Sequence, residues 1–234
     1  MKKSLILATA VFGCFTVAVS QAHVVVTTDP AQVLELEGEA APTMSMSLTE
    51  AAPGTFDLVF AFEHFRLGTE ADGPVHVPGI GRAPIYVNGI HESFLTSNGY
   101  RLTLEPNGHY EVYVGLTALD DRAFVVNGHL IDARVAFRAS ATAPLSSDRR
   151  VFDIAIEITR ELPPTIRVRQ GETVELRLTS QETQVVHLHG IDLEVTVAPQ
   201  SPATLLFNAE FPGRFTAEAH DAAESPVFFL EVLP

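Results

Sequence analysis

Two histidines one residue apart, His187 and His189, interrupt the strand-forming run VVHLHGIDLEV at residues 185–195. On an extended chain successive side chains point to opposite faces, so both imidazoles project to one side and Leu188 to the other. Two imidazoles on one face can grip one metal ion. The same spacing suits a hydrogen-bonded pair of histidines with no metal, so the elements around them must decide.

Those elements are strands. In TFDLVFAFEHF the apolar residues Phe56, Leu58, Phe60 and Phe62 share one face, as do Tyr110, Val112 and Val114 in YEVYVGL. In IDARVAFRA the inward set is Ile131, Ala133, Val135 and Phe137, which leaves Asp132, Arg134 and Arg138 outside. Period-two alternation repeated in this way predicts half-buried strands. Four Asn-Gly pairs, at Asn88, Asn98, Asn107 and Asn127, supply the positive φ angles of tight turns. No amphipathic helix is visible after the first residues, so the chain is expected to be all-β, built as two antiparallel β-sandwich domains. Residues 140–150 lose the alternation and collect Ala, Ser, Thr and Pro, a linker composition. The domains are expected at 41–139 and 151–234, and the acidic segment 23–40 is an edge strand or a tail.

The first 22 residues have two lysines, an apolar stretch and small residues at Ser20 and Ala22, the layout of a cleaved secretory signal peptide. A periplasmic location follows, with no transmembrane span in the mature chain. Cys14 in VFGC offers a lipoprotein alternative, opposed by the bulk of Phe12 and the apolar residues that follow. Lys2 and Lys3 are the only lysines, and the formal net charge is -14. Such acidity argues against nucleic acid and anionic membranes as partners and suits cations. Cys14 is also the only cysteine, so the mature chain has neither disulfide nor thiolate ligand and must be stabilised by buried apolar area.

From residue 151 onward, the IRVRQGETVELRLTS entry, the histidine-bearing strand, the turn Phe211-Pro212-Gly213-Arg214-Phe215 and the closing FFLEVLP resemble the cupredoxin family of copper-carrying β-sandwiches. In its blue-copper members a cysteine lies about six residues after the glycine of that turn. Ala219 stands there in this chain, and no methionine follows Met46. A type 1 centre needs a copper–thiolate bond and cannot form. The resemblance implies that the fold brings His187, His189 and His220 to one end of the sandwich, with Glu218, Asp192 or Asp221 nearby. Three imidazoles with an open fourth position suit Cu(II) or Zn(II), copper being favoured on intrinsic affinity. Imidazole must be neutral to ligate, so binding should weaken below pH about 6.

The stretches HFRLGTEADGPVHVPGIGRAPIYVNG and LTALDDRAFVVNGHLIDARV resemble a bacterial periplasmic β-domain family with lines close to NFRF, HVPGxGHAHLYVNG and LNANDH. Its histidines look like metal ligands, yet Arg82 and Pro84 replace those of GHAH and Asp121 replaces that of NDH. Neither arginine nor proline can donate a lone pair, so this domain is expected to have lost metal binding. His64, His76, His91, His109 and His129 are read as scattered loop histidines. His23 becomes the first residue if cleavage follows Ala22, which makes a histidine-brace copper ligand conceivable, but it lacks a local companion.

These features point to a periplasmic copper-binding protein for sequestration, transport or tolerance, with copper ion as its expected partner and another periplasmic protein as a further candidate. The alternative is a metal-free envelope interaction module with a degenerate cupredoxin domain. An enzyme is not expected: no GxSxG elbow and no paired catalytic carboxylates are present, and the thiolate electron-entry site is missing.

Overall fold

The computed structural model describes residues 32–36, 41–139, 144–157, 162–220 and 225–234. The expected signal peptide, Cys14 and His23 lie outside them. Four β-sheets and a single 3₁₀ turn at Glu70–Asp72 make up the regular structure among the described residues. The chain is all-β, as the alternation predicts. Among the described residues no helix is long and apolar enough to cross a membrane.

A seven-stranded sheet runs through both expected domains. Its order is Arg150–Ile156, Thr173–Ser180, Ala203–Asn208, Asp132–Arg138, His109–Gly115, Pro84–Val87 and Ile90–Phe94. The central join is parallel, with Ala136 opposite Leu205 and Phe137 opposite Leu206. Because side chains alternate across a sheet, each opposed pair lies on one face. Ala136 and Leu205 enter a core with Val174, Leu188 and Phe228, sandwiched against a five-stranded sheet. Phe137 and Leu206 enter a second core with Phe56, Phe60 and Val112. One sheet therefore lends opposite faces to two cores, and its strands bind the halves together.

The segment expected as a linker is packed where it is described. Leu145 is buried in the core around Phe56, and its N–H donates to Glu50 at 2.7 Å. Arg149 donates to the Leu48 carbonyl at 2.9 Å and pairs with Glu175 at 2.8 Å. The composition of 140–150 marks the loss of alternation but not the loss of contact. In the acidic N-terminal segment, Val33–Glu35 forms an edge strand parallel to Ala123–Val126. Of the four Asn-Gly pairs, Asn88-Gly89 and Asn127-Gly128 have positive φ at both residues and close tight hairpins, as type I′ geometry requires.

The alternation in IDARVAFRA misplaces two residues. Asp132 is 2% exposed and the Arg134 side chain 10%, so neither is outside. They lie on the sheet face away from Val135 and Phe137, where period two assigns solvent. In the fold, strand Leu193–Val197 packs against their strand, and Tyr113 stands opposite Arg134 in the next one. Arg134 stacks on the Tyr113 ring at 4.4 Å and donates to Asp132 at 3.2 Å, and it approaches Glu111 at 3.6 Å. Asp132 Oδ1 has no hydrogen-bond partner among the described residues.

Burial pushes the Asp132 carboxyl up to about 6, with the Arg134 charge opposing. An acid whose folded value exceeds its unfolded one binds more protons when folded. It therefore favours folding below about pH 4 and loses that contribution as pH rises to about 6. The loss amounts to ~3 kcal/mol for a shift of about two units. Urea unfolding of the wild type and of Asp132→Asn between pH 4 and 7 should show the wild type losing more stability than the variant over this window. Parallel profiles would refute the assignment.

Candidate metal centre

The run read as one histidine-bearing strand is a hairpin. Gln184–Leu188 pairs with Leu193–Val197 around His189-Gly190-Ile191-Asp192. The Asp192 N–H closes the turn on the Leu188 carbonyl at 3.0 Å, with Gly190 and Asp192 at φ 78° and 63°. Gly190 is required twice over, because its φ is left-handed and a Cβ there would come within 2.8 Å of the Phe215 ring.

On the other side Gln184–Leu188 pairs with Gly213–Ala219. The register sorts side chains into rows. Val195, Val186 and Ala219 form one row, and Leu193, Leu188 and Ala217 another; all six are buried in the C-terminal core. The row between them, Glu194, His187 and Glu218, must face outward. His189 and His220 extend this outer strip. Their backbone N–H groups donate to the Thr216 and Val185 carbonyls at 2.9 and 2.8 Å, which fixes both ends.

The rings of His187 and His189 are 4.2 Å apart between centroids, and those of His187 and His220 are 5.6 Å apart. His189 Nε2 lies 2.9 Å from Glu218 Oε2. His187 Nε2 lies 3.5 Å from Asp192 Oδ1, and His220 Nδ1 lies 3.5 Å from Glu194 Oε2. One donor atom each from His187, Glu194 and His220 fall within 4.8 Å of one another, the only such group of three among the described residues. His189 is outside that group and is engaged with Glu218. Asp221 lies outside the described residues.

Glu194 is the ligand that sequence reasoning missed. The mirrored spacing VHL–HGID–LEV, an apolar–polar–apolar triplet on each side of a four-residue turn, would have placed it opposite His187. No Asn-Gly pair marks that turn, so the run reads as continuous. The strip also lies on the outer face of the five-stranded sheet, not enclosed at one end of the sandwich. Ala219, at the position where the blue-copper pattern has cysteine, is fully buried and faces the core, so the residues present do not fit a type 1 copper centre. The outer His/His/Glu set does fit a borderline divalent cation, which takes imidazole and carboxylate together with open positions for water.

In the N-terminal half the substituted positions have found each other: Arg82 donates to Asp121 at 2.7 Å. The pair is exposed and so contributes at most about 1 kcal/mol. His91 packs between Tyr86 and Phe94, and His76 packs edge-on to Phe124.

No protein-family model and no curated protein matches the sequence. Among solved structures, a chain of a heme-copper terminal oxidase dimer is 18% identical, with a TM-score of 0.31. That match covers 37% of this chain and 65% of the other, just under two thirds of its length. A blue copper oxidase from Nitrosomonas europaea is 12% identical over 81% of this chain and 83% of its own, with a TM-score of 0.31. A multi-copper oxidase from Pseudomonas Parafulva is 14% identical over 65% and 51%, with a TM-score of 0.32. These neighbours overturn the expectation that the chain is not an enzyme, because the proteins it resembles are oxidases. At such scores the likeness transfers no reaction, and the absence of turnover is no longer part of the reading.

The division between inner and outer rows has a direct test. Leu188→Ala should lower stability by ~2–5 kcal/mol, as core truncations do, whereas His187→Ala one residue away should cost less than about 1 kcal/mol. Urea midpoints of the two variants in chelator-treated protein would show it. Equal losses would mean that the strand is turned over.

Proposed function

We propose that the protein is a secreted, periplasmic copper-binding protein that sequesters or transports Cu(II), and that His187, His220 and Glu194 hold the ion. The observation that carries this is the convergence of those three donors within 4.8 Å on a hydrogen-bonded strand framework. His189 flanks the ion and is positioned by Glu218.

The donor chemistry supports the divalent state. With neither thiolate nor thioether in the strip, nothing favours the softer Cu(I), while the imidazole–carboxylate set suits Cu(II) and next to it Zn(II). Three carboxylates, Asp192, Glu194 and Glu218, surround the imidazoles in a chain of formal charge -14, and their field draws cations to this face.

Cu(II) titration of metal-free protein, followed by calorimetry and electron paramagnetic resonance, should give one site with nitrogen hyperfine structure. His187→Ala, His220→Ala and Glu194→Gln should each weaken it at least tenfold, and His189→Ala less. A hundredfold excess of Cu(II) over Kd should stabilise the fold by ~2.7 kcal/mol through mass action. Unchanged affinity in the His187→Ala/His220→Ala double variant would leave a metal-free interaction module as the better account.

A further inference from the structure

A second site, apart from the histidine strip, lies where the two halves meet. We propose that the cavity lined by Met44, Ile131, Gln181, Gln200 and Ser201 binds a small uncharged molecule with an apolar body and a hydrogen-bonding end.

The cavity measures about 390 Å³. That volume lies within the roughly 300–1,000 Å³ range usual for small-molecule sites. The N-terminal half contributes Pro42, Met44 and Ile131, all buried; the C-terminal half contributes buried Ser201 and the exposed Gln181 and Gln200. No ionisable side chain lines the cavity, in a chain with 29 acidic and 15 basic residues. Glu63 accepts a hydrogen bond from the lining Thr43 at 3.2 Å but is itself exposed and outside the lining. A charged ligand would give up hydration here and meet no counter-charge in the wall, whereas an apolar body meets Pro42, Met44 and Ile131.

Two features of the C-terminal wall call for a hydrogen-bonding group on the ligand. Ser201 is 3% exposed, and its Oγ has no hydrogen-bond partner among the described residues. A buried hydroxyl in that state is costly, and rotation about its Cα–Cβ bond lets it meet a ligand in the cavity that its residue lines. Gln200 is the second residue of a two-residue turn that begins with Pro199 and is closed by the Ser201 N–H donating to the Ala198 carbonyl at 3.0 Å. Its φ is 63°, where such a turn usually has glycine or asparagine. The chain thus accepts backbone strain at this point and keeps an amide in the cavity lining, next in sequence to the unpartnered hydroxyl.

Benzamide, benzoate and benzamidine are near-isosteric and differ in charge, being neutral, anionic and cationic. The methionines of the chain are Met1, Met44 and Met46, so the Met44 methyl group is a distinct NMR reporter, and Met46, outside the lining, is its control. Titrated into metal-free full-length protein, benzamide should shift the Met44 methyl signal saturably and bind about tenfold tighter, or more, than either charged compound. Ser201→Ala, which removes a hydroxyl with no partner to lose, should weaken benzamide about fivefold or more without lowering the urea midpoint. Gln200→Gly, which relieves the turn, should also weaken it, with the midpoint unchanged or raised. The absence of a saturable Met44 shift, equal binding of the three compounds, or unchanged affinity in either folded variant would overturn the proposal. Because the protein is metal-free, the outcome does not depend on the histidine strip.

Discussion

The inward packing of Val186, Leu188, Ala217 and Ala219 is the constraint from which the histidine strip follows. All four are fully buried in the C-terminal core. Removing them from water stabilises the fold by about 25 cal/mol per Å² of apolar area, more than any pairing available to an exposed histidine. Period two then leaves no choice for the residues between them: His187, Glu218 and His220 face outward. A one-residue slip would expose the apolar set and bury three imidazoles and two carboxylates, so the core dictates the register of the site.

That constraint also shows what the missing sulfur means. Ala219 faces the packed interior, and the polar strip occupies the other side of the same sheet. The outer histidines are thus not the remainder of an enclosed thiolate centre at that position. They are a separate arrangement, assembled from adjacent residues on neighbouring strands and open to water. Openness lowers the desolvation cost for an incoming cation and leaves coordination positions to solvent, while strand hydrogen bonds at His189 and His220 keep the donors in place.

Local pattern in the sequence was a good guide to which residues alternate and a poor one to what covers them. The inward sets of TFDLVFAFEHF and IDARVAFRA sit in the second core because burial on one face is a local property of an alternating strand. Asp132 and Arg134 defeat the same rule. Whether the opposite face meets water depends on a strand sixty residues away in sequence, Leu193–Val197, and no periodicity carries that information. Glu194 escaped for a related reason: its place opposite His187 is fixed by a turn of Gly190 and Asp192 with positive φ, outside the Asn-Gly signal. The segment 140–150 was legible as a loss of alternation. Its burial and the parallel join of Asp132–Arg138 to Ala203–Asn208 were not, because both are long-range pairings.

The parallel join ties the two halves more tightly than a linker would. Since Ala136 and Leu206 enter different cores from neighbouring strands, neither sandwich can separate without exposing apolar residues of the other. The buried cluster of Asp132, Arg134, Glu111 and Tyr113 lies beside this join, on the face where the sheet passes beyond the C-terminal core. Breaking one partner of a buried ion pair is more costly than never having had the pair, because the survivor is left charged and dry. The cluster therefore specifies the arrangement of the halves more than it stabilises them: shifted by one residue, the sheet would put Val135 and Phe137 where these charges are and strand the charges in the Phe56 core.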